Sequence, residues 1–202
     1  MNMQINEEFI NSKIIYEYKN LLKSRLKEKR YNHSLAVADE AKRLAVLYKA
    51  DPYKAYLAGL LHDITKNSDV SEHFGIFEAY GIKLSKVEMS AEKLWHAISG
   101  AAYVEHYLGI DDTDVINAIR YHTTAKANMS RLETVLYLAD FTSADRDYDD
   151  VDVMRSLVDK SADEALSYAL SYTIKELLEK GAPIHPDTLS AYNEVVLKGR
   201  KV

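Results

Sequence analysis

The sequence has no cysteine. That excludes disulfides, thiolate metal sites, zinc ribbons and thiol nucleophiles together, so any metal must be held by imidazole and carboxylate groups. Only 7 Gly and 3 Pro occur in 202 residues, which leaves few points at which a helix must stop. No run approaches the roughly 20 apolar residues needed to span a bilayer. The opening Met1-Asn2-Met3-Gln4-Ile5-Asn6-Glu7-Glu8 is too acidic and polar for a signal peptide, so a cytoplasmic location and no membrane partner are expected. A basic excess is missing as well: the formal net charge of -5 argues against nucleic-acid binding, which needs clustered Lys and Arg. A phosphate-rich substrate would then require a metal to offset repulsion. Neither a Walker sequence nor G-x-G-x-x-G is present, which leaves P-loop and Rossmann cofactor readings without support.

What is present is 47% hydrophobic and 28% charged residues, enough apolar material for one compact domain. The apolar positions recur at three and four, not at two, which predicts an all-α chain. Helices are expected over about 9–29, 32–49, 52–64, 70–80, 91–108, 112–121, 131–141, 151–157, 162–180 and 186–198. Local signals support several ends: Asp51-Pro52 is an N-cap followed by Pro at the first helical position, Ser130 and Glu133 form a capping-box pair, and Gly181 closes the helix before it. The acidic stretch Asp145-Arg146-Asp147-Tyr148-Asp149-Asp150 reads as a solvated turn.

The informative residues are polar groups on apolar faces. Leu57, Leu60, Leu61 and Ile64 make one apolar stripe, while His62 and Asp63 point the other way beside Ala58 and Gly59. His33 shares a stripe with Val37, Ala41, Leu44 and Tyr48, and His96 shares one with Gly100, Tyr103 and Tyr107. His122 follows Val115, Ala118 and Ile119, and Asp140 ends the run Val135-Leu136-Tyr137-Leu138-Ala139. Any one of these is most simply a core residue satisfied by a neighbour. Burying all of them unpaired would cost several kcal/mol each on a rough scale, and convergence on a cation is the simplest offset. His73, His106 and His185 lie in more polar settings and serve as contrasts.

His33, the pair His62-Asp63 and the distant Asp140 resemble the H…HD…D signature of the HD phosphohydrolase superfamily. His96 and His122, between the pair and the last Asp, resemble the subset that binds two ions. Four stretches look like the bacterial symmetrical dinucleoside tetraphosphatases, the YqeK-type HD proteins: Lys29-Arg30-Tyr31-Asn32-His33-Ser34, Ala58-Gly59-Leu60-Leu61-His62-Asp63-Ile64-Thr65-Lys66, Leu94-Trp95-His96-Ala97-Ile98-Ser99-Gly100-Ala101 and Tyr121-His122-Thr123-Thr124. The resemblance continues through Met129-Ser130, Tyr137-Leu138-Ala139-Asp140, Arg146-Asp147 and His185-Pro186-Asp187-Thr188-Leu189. Two departures stand out: Ala125 where the family commonly has Gly, and the run Phe141-Thr142-Ser143-Ala144-Asp145.

The resemblance implies a single HD-type helical bundle over 1–202, with the metal-binding core at about 29–142 and C-terminal helices over 151–199 packed on it. It implies two divalent ions, iron favoured, with manganese, zinc and nickel compatible with the donor set. His33, His62, Asp63 and Asp140 would hold one ion, and His96 and His122 the other, with Asp63 between them. The implied reaction is hydrolysis of diadenosine tetraphosphate at its central anhydride to two ADP by a metal-activated water, with Asp63 and Lys66 as catalytic groups. Phosphate contacts fall on Arg30, Thr65, Lys66, Thr124, Lys126 and Arg146. Two rivals stand beside this reading: an HD-type nucleotidase acting on other (d)NTP or (d)NDP substrates, and a nucleotide-binding regulatory module without turnover. The absence of a Gly-Tyr-Pro triplet, and of Glu-Asp after His62-Asp63, sets the chain apart from cyclic-di-GMP phosphodiesterases and alarmone hydrolases. The long terminal helices could cap the monomer or form a homodimer surface.

Overall fold

A computed structural model of the protein describes Glu8 and residues 12–199. The expected helix over 9–29 begins within residues 9–11, which lie outside that description. The described helices are α1 Lys13–Arg25, α2 Glu28–Tyr48, α3 Pro52–Leu61, α4 Val70–Ala79, α5 Lys86–Ser90, α6 Trp95–His106, α7 Thr113–Tyr121, α8 Arg131–Thr142, α9 Val151–Val158, α10 Ala162–Glu179 and α11 Pro186–Gly199, with a 3-10 turn over Glu92–Leu94 before α6. No strand occurs among the described residues.

The predicted caps hold because they are local. Asp51 accepts from the N–H groups of Tyr53 (2.8 Å) and Lys54 (3.0 Å), with Pro52 opening the helix. Ser130 and Glu133 close a capping box at the start of α8. Gly181 takes φ +60°, the left-handed conformation that ends α10.

Three differences from expectation bear on the site. The first break falls at Leu26 and Lys27, both extended, not near residue 30. It is fixed from outside the helix: the Lys27 N–H donates to Asn67 Oδ1 (2.8 Å) and Arg25 Nε donates to the Ile64 carbonyl (3.1 Å). As a result Arg30 and His33 sit together on α2. Helix α5 was not expected, although Ser85 and Glu88 form a capping box there. Finally, α3 ends at Leu61, so His62 and Asp63 lie in the turn beyond it and not within a helix.

The core forms where α2 packs on α3 and α8, and where α7 packs on α3, α6 and α8. Leu44, Leu57, Leu60, Leu61, Ile119, Leu136 and Leu138 are fully buried between them. Gly59 sets the closest approach: a Cβ there would lie 2.7 Å from Ala38 Cα and 2.9 Å from the Val37 carbonyl oxygen, so only Gly lets α3 meet α2. A smaller apolar cluster of Phe77, Trp95 and Ile98 joins α4 to α6. Among the described residues no helix is long and apolar enough to cross a membrane.

Candidate metal centre

The helical core brings all six polar residues singled out in the sequence to one place. His33 comes from α2, His62 and Asp63 from the turn after α3, His96 from the first turn of α6, His122 from the turn after α7 and Asp140 from α8. Their donor atoms form three overlapping groups, each with all its atoms within 4.8 Å of one another: His33, His62 and Asp63; His62, His122 and Asp140; and Asp63, His96 and His122. His33, His62, Asp63, His96 and His122 are buried, and Asp140 is mostly so.

Asp63 is the hub. His96 Nε2 lies 3.1 Å from its Oδ1 and His122 Nε2 3.8 Å from the same oxygen, while His62 Nε2 is 3.4 Å from its Oδ2. His96 Nε2 and His122 Nε2 are 3.1 Å apart, and His33 Nε2 is 2.9 Å from Asp140 Oδ1. Ligands on one ion with bonds of about 2.1 Å sit roughly 3 to 3.4 Å apart, so these separations suit a shared cation. His62 Nε2 adds a further sign: it is buried, makes no hydrogen bond and, among the described residues, has only the Asp63 and Asp140 carboxylates, at 3.4 and 3.9 Å, within ion-pair distance, an arrangement that a shared cation would satisfy.

Two of the imidazoles are aimed by their own helices. The Nδ1–H of His62 donates to the Gly59 carbonyl (2.7 Å) and that of His122 to the Ile119 carbonyl (2.7 Å). Carbonyls in the last turn of a helix are short of backbone donors, so each ring caps its helix and turns Nε2 toward the cluster. His33 is aimed differently: its Nδ1 lies 2.8 Å from Asp145 Oδ2 in the loop after α8.

The electrostatics favour cation binding. Burial pushes the His96 and His122 imidazoles down, below the ordinary histidine range, so both are held neutral as a metal requires. Burial alone would raise the Asp63 carboxyl, but the neighbouring His62 and His96 hold it well below the usual carboxylate range. Asp140 is held down in the same way, against its burial, by Arg146, His33 and His62. Burial would lower His62, yet Asp63 and Asp140 bring it above its ordinary value.

The expected phosphate contacts divide into two sets. Arg30 Nη1 pairs with Asp63 Oδ2 (2.8 Å), Arg146 pairs with Asp140, and Lys66 Nζ lies 3.0 Å from His96 Nε2. All three are partly exposed at the cluster. Thr65 instead donates to the His96 carbonyl (2.9 Å) and meets Ser99 Oγ, Lys126 pairs with Glu133 (3.1 Å), and Thr124 is buried with its hydroxyl unpartnered.

Two of the contrast histidines lie deeper than expected. His73 and His185 are buried as well, each among polar partners: His73 Nδ1 meets Ser99 Oγ at 2.8 Å, and His185 Nδ1 accepts from the Asp187 N–H at 3.1 Å. Each is satisfied within the fold. Asp145 was missed altogether, because nothing local in an acidic turn marks it as the partner of a histidine 112 residues away. Glu88 was missed too; it binds Arg120 (2.6 Å), lies 3.6 Å from His185 Nε2 and so braces α7 just before His122.

A helical bundle that gathers four imidazoles and two carboxylates has the donor set of a metal-dependent helical enzyme. The profile described as HD domain matches residues 30–145, and the chain belongs to that family. It is 40% identical over 180 residues to the symmetrical bis(5'-nucleosyl)-tetraphosphatase of Halalkalibacterium halodurans, covering 88% of this chain and 95% of that protein. With the protein of the same description from Bacillus subtilis it shares 35% identity over 175 residues, covering 87% and 94% respectively. A crystal structure from Clostridium acetobutylicum, described as a predicted HD superfamily hydrolase involved in NAD metabolism, superposes with a TM-score of 0.88 at 36% identity, over 91% of this chain and 97% of that one.

Proposed function

We propose that the protein hydrolyses diadenosine tetraphosphate symmetrically, to two ADP, at a centre of two divalent ions. The carrying observation is the convergent set of imidazoles and carboxylates around Asp63, in which the buried His62 Nε2 makes no hydrogen bond and faces Asp63 at 3.4 Å, in a chain alike over nearly its full length to symmetrical tetraphosphatases. His33, His62, Asp63 and Asp140 would hold one ion, and Asp63, His96 and His122 the other. Bound divalent ions supply Lewis acidity and a water acidified for attack on phosphorus.

The chain's own residues then have distinct tasks. Asp63, ionised at neutral pH, offers Oδ1 toward His96 and His122 and Oδ2 toward His62, so it would be the ligand common to both groups of donors. Arg30 and Arg146 neutralise Asp63 and Asp140 and are partly exposed at the cluster, where their guanidinium groups would meet substrate phosphate. Lys66, whose ammonium is destabilised by burial and lies beside His96, meets a phosphate oxygen or the departing nucleotide. Thr124 offers its unpartnered hydroxyl. Thr65 and Lys126 act from further out, the first joining the turn after α3 to α6 and the second anchoring Glu133. Iron suits this cysteine-free donor set, as do manganese, zinc and nickel.

The test is product analysis by ion-exchange chromatography after loading the protein with iron, manganese or zinc. ADP alone is expected, with a loss of about 10³-fold in Asp63→Ala, equivalent to roughly 4 kcal/mol of transition-state stabilisation. AMP with ATP would contradict the cleavage position. Turnover of dGTP or GDP in place of the dinucleotide would favour a nucleotidase, and tight nucleotide binding with no turnover a regulatory module.

A further inference from the structure

The four histidines of the centre are not aimed alike. His62 and His122 cap the ends of α3 and α7 and use carbonyls three residues back. His33 lies inside α2, where the carbonyl three residues back is engaged by the helix's own i to i+4 ladder. Its Nδ1 therefore needs an acceptor from elsewhere, and Asp145 Oδ2 supplies one at 2.8 Å.

We propose that Asp145 is a positioning residue for the metal centre, holding His33 with its Nδ1–H donated to the carboxylate so that Nε2 is the atom offered to a divalent ion. The inference rests on the two-ion reading of the cluster and adds to it a residue outside the ligand set. Asp145 is itself held: Ser143 Oγ donates to its Oδ1 at 2.8 Å, which fixes the carboxylate plane and leaves Oδ2 for His33. The loop is held in turn by Arg155 of α9, which donates to the carbonyls of Thr142 (3.3 Å), Ser143 (3.1 Å) and Arg146 (3.0 Å). With 32% of its side chain exposed against 3% for His33, Asp145 reaches inward from the surface to one wall of the site. A carboxylate on the far nitrogen of a ligating imidazole fixes its tautomer and raises its basicity, and removing such a partner typically weakens metal binding about 10- to 100-fold. Loop and ligand are thereby coupled: what disturbs residues 142–146 disturbs His33.

The experiment uses zinc as a diamagnetic probe. Zinc affinity is measured by competition with a chromogenic chelator for the unsubstituted protein, Asp145→Ala, Asp145→Asn and Ser143→Ala, and the His33 Nδ1–H resonance of the zinc-loaded forms is read by NMR. Its assignment comes from its loss in His33→Gln. Asp145→Ala is expected to bind zinc about 10- to 100-fold more weakly, with the His33 Nδ1–H moved upfield and exchanging faster. Asp145→Asn should recover most of the affinity, because its amide oxygen still accepts from Nδ1. Ser143→Ala, which only frees the carboxylate to rotate, should show a milder loss and decides the matter if the Ala variant fails to fold by circular dichroism. Unchanged affinity and an unchanged Nδ1–H in Asp145→Ala, or no recovery in Asp145→Asn, would overturn the inference alone. Failure of the unsubstituted protein to take up zinc, manganese or iron would overturn the metal reading and this inference with it.

Discussion

The two walls of the metal centre are built by different means. On one wall, His62 and His122 are aimed by carbonyls of the helices they terminate, so their placement depends on how α3 and α7 pack. On the other, His33 and Asp140 are tied to Asp145 and Arg146, side chains of a loop. A helix end held in the core can carry a ligand without a dedicated partner, whereas a ligand inside a helix needs one brought from a distant part of the chain. The first wall should therefore respond to changes in packing and the second to changes at the loop. The variants at Asp145 break the loop-built wall, and those that follow break or sharpen the helix-built one.

The largest effect is expected at Gly59. A methyl group there meets the backbone of Ala38 and Val37, which cannot yield as a flexible side chain would. Gly59→Ala should cost about 3 kcal/mol in urea unfolding. It should also weaken metal binding, since the Gly59 carbonyl aims His62. Full stability together with normal metal affinity would show that α3 need not sit so close to α2.

Glu88 comes next. Burial alone would raise its carboxyl, but the bonds from Ser85 and the Arg120 guanidinium hold it below its ordinary value. A carboxylate with a depressed folded pKa adds stability that is complete above its unfolded value of about 4.3 and fades as the pH falls through the folded one. Glu88→Gln should therefore cost about 2 kcal/mol at neutral pH. Its stability should then fall less steeply than the parent's below about pH 4.3, which equilibrium unfolding across that range will show.

The smallest effect should have the opposite sign. Ala125, two residues after the unpartnered Thr123, takes φ +55° and is fully buried, a left-handed conformation that costs a residue with a Cβ about 1 to 2 kcal/mol. Its N–H closes the end of α7 on the Tyr121 carbonyl at 2.8 Å. Ala125→Gly should stabilise the protein by roughly 0.5 to 1 kcal/mol after allowing for the freedom Gly gains when unfolded. A loss of stability would show that the buried methyl contributes more than its backbone strain costs.

The same contrast explains what could be read from the sequence. The helix caps at Asp51, Ser130 and Gly181 were legible because each is decided within a few residues. The six cluster residues were legible as polar groups on apolar faces, a pattern that does not require knowing the partner. The departure at Ala125 was visible as well, and its positive φ supplies the physical reason that Gly suits this position. The break at Leu26 and Lys27 was not legible, because Asn67 and Ile64 impose it from across the fold. Helix α5 carried a capping-box signature, but with five residues it offered no apolar periodicity to read. The partner of His73, Ser99, lies on another helix, whereas His185 is met by the backbone N–H of Asp187 two residues on. Asp145 looked like any residue of a solvated acidic turn until the fold set it against His33.

The central claim is that His33, His62, Asp63, His96, His122 and Asp140 form one metal centre. Anomalous diffraction from crystals soaked in manganese would test it most directly. Two peaks about 3.5 to 4 Å apart inside that ring of residues, with Asp63 between them, are predicted. Manganese bound only at surface carboxylates, with none inside the ring, would contradict it.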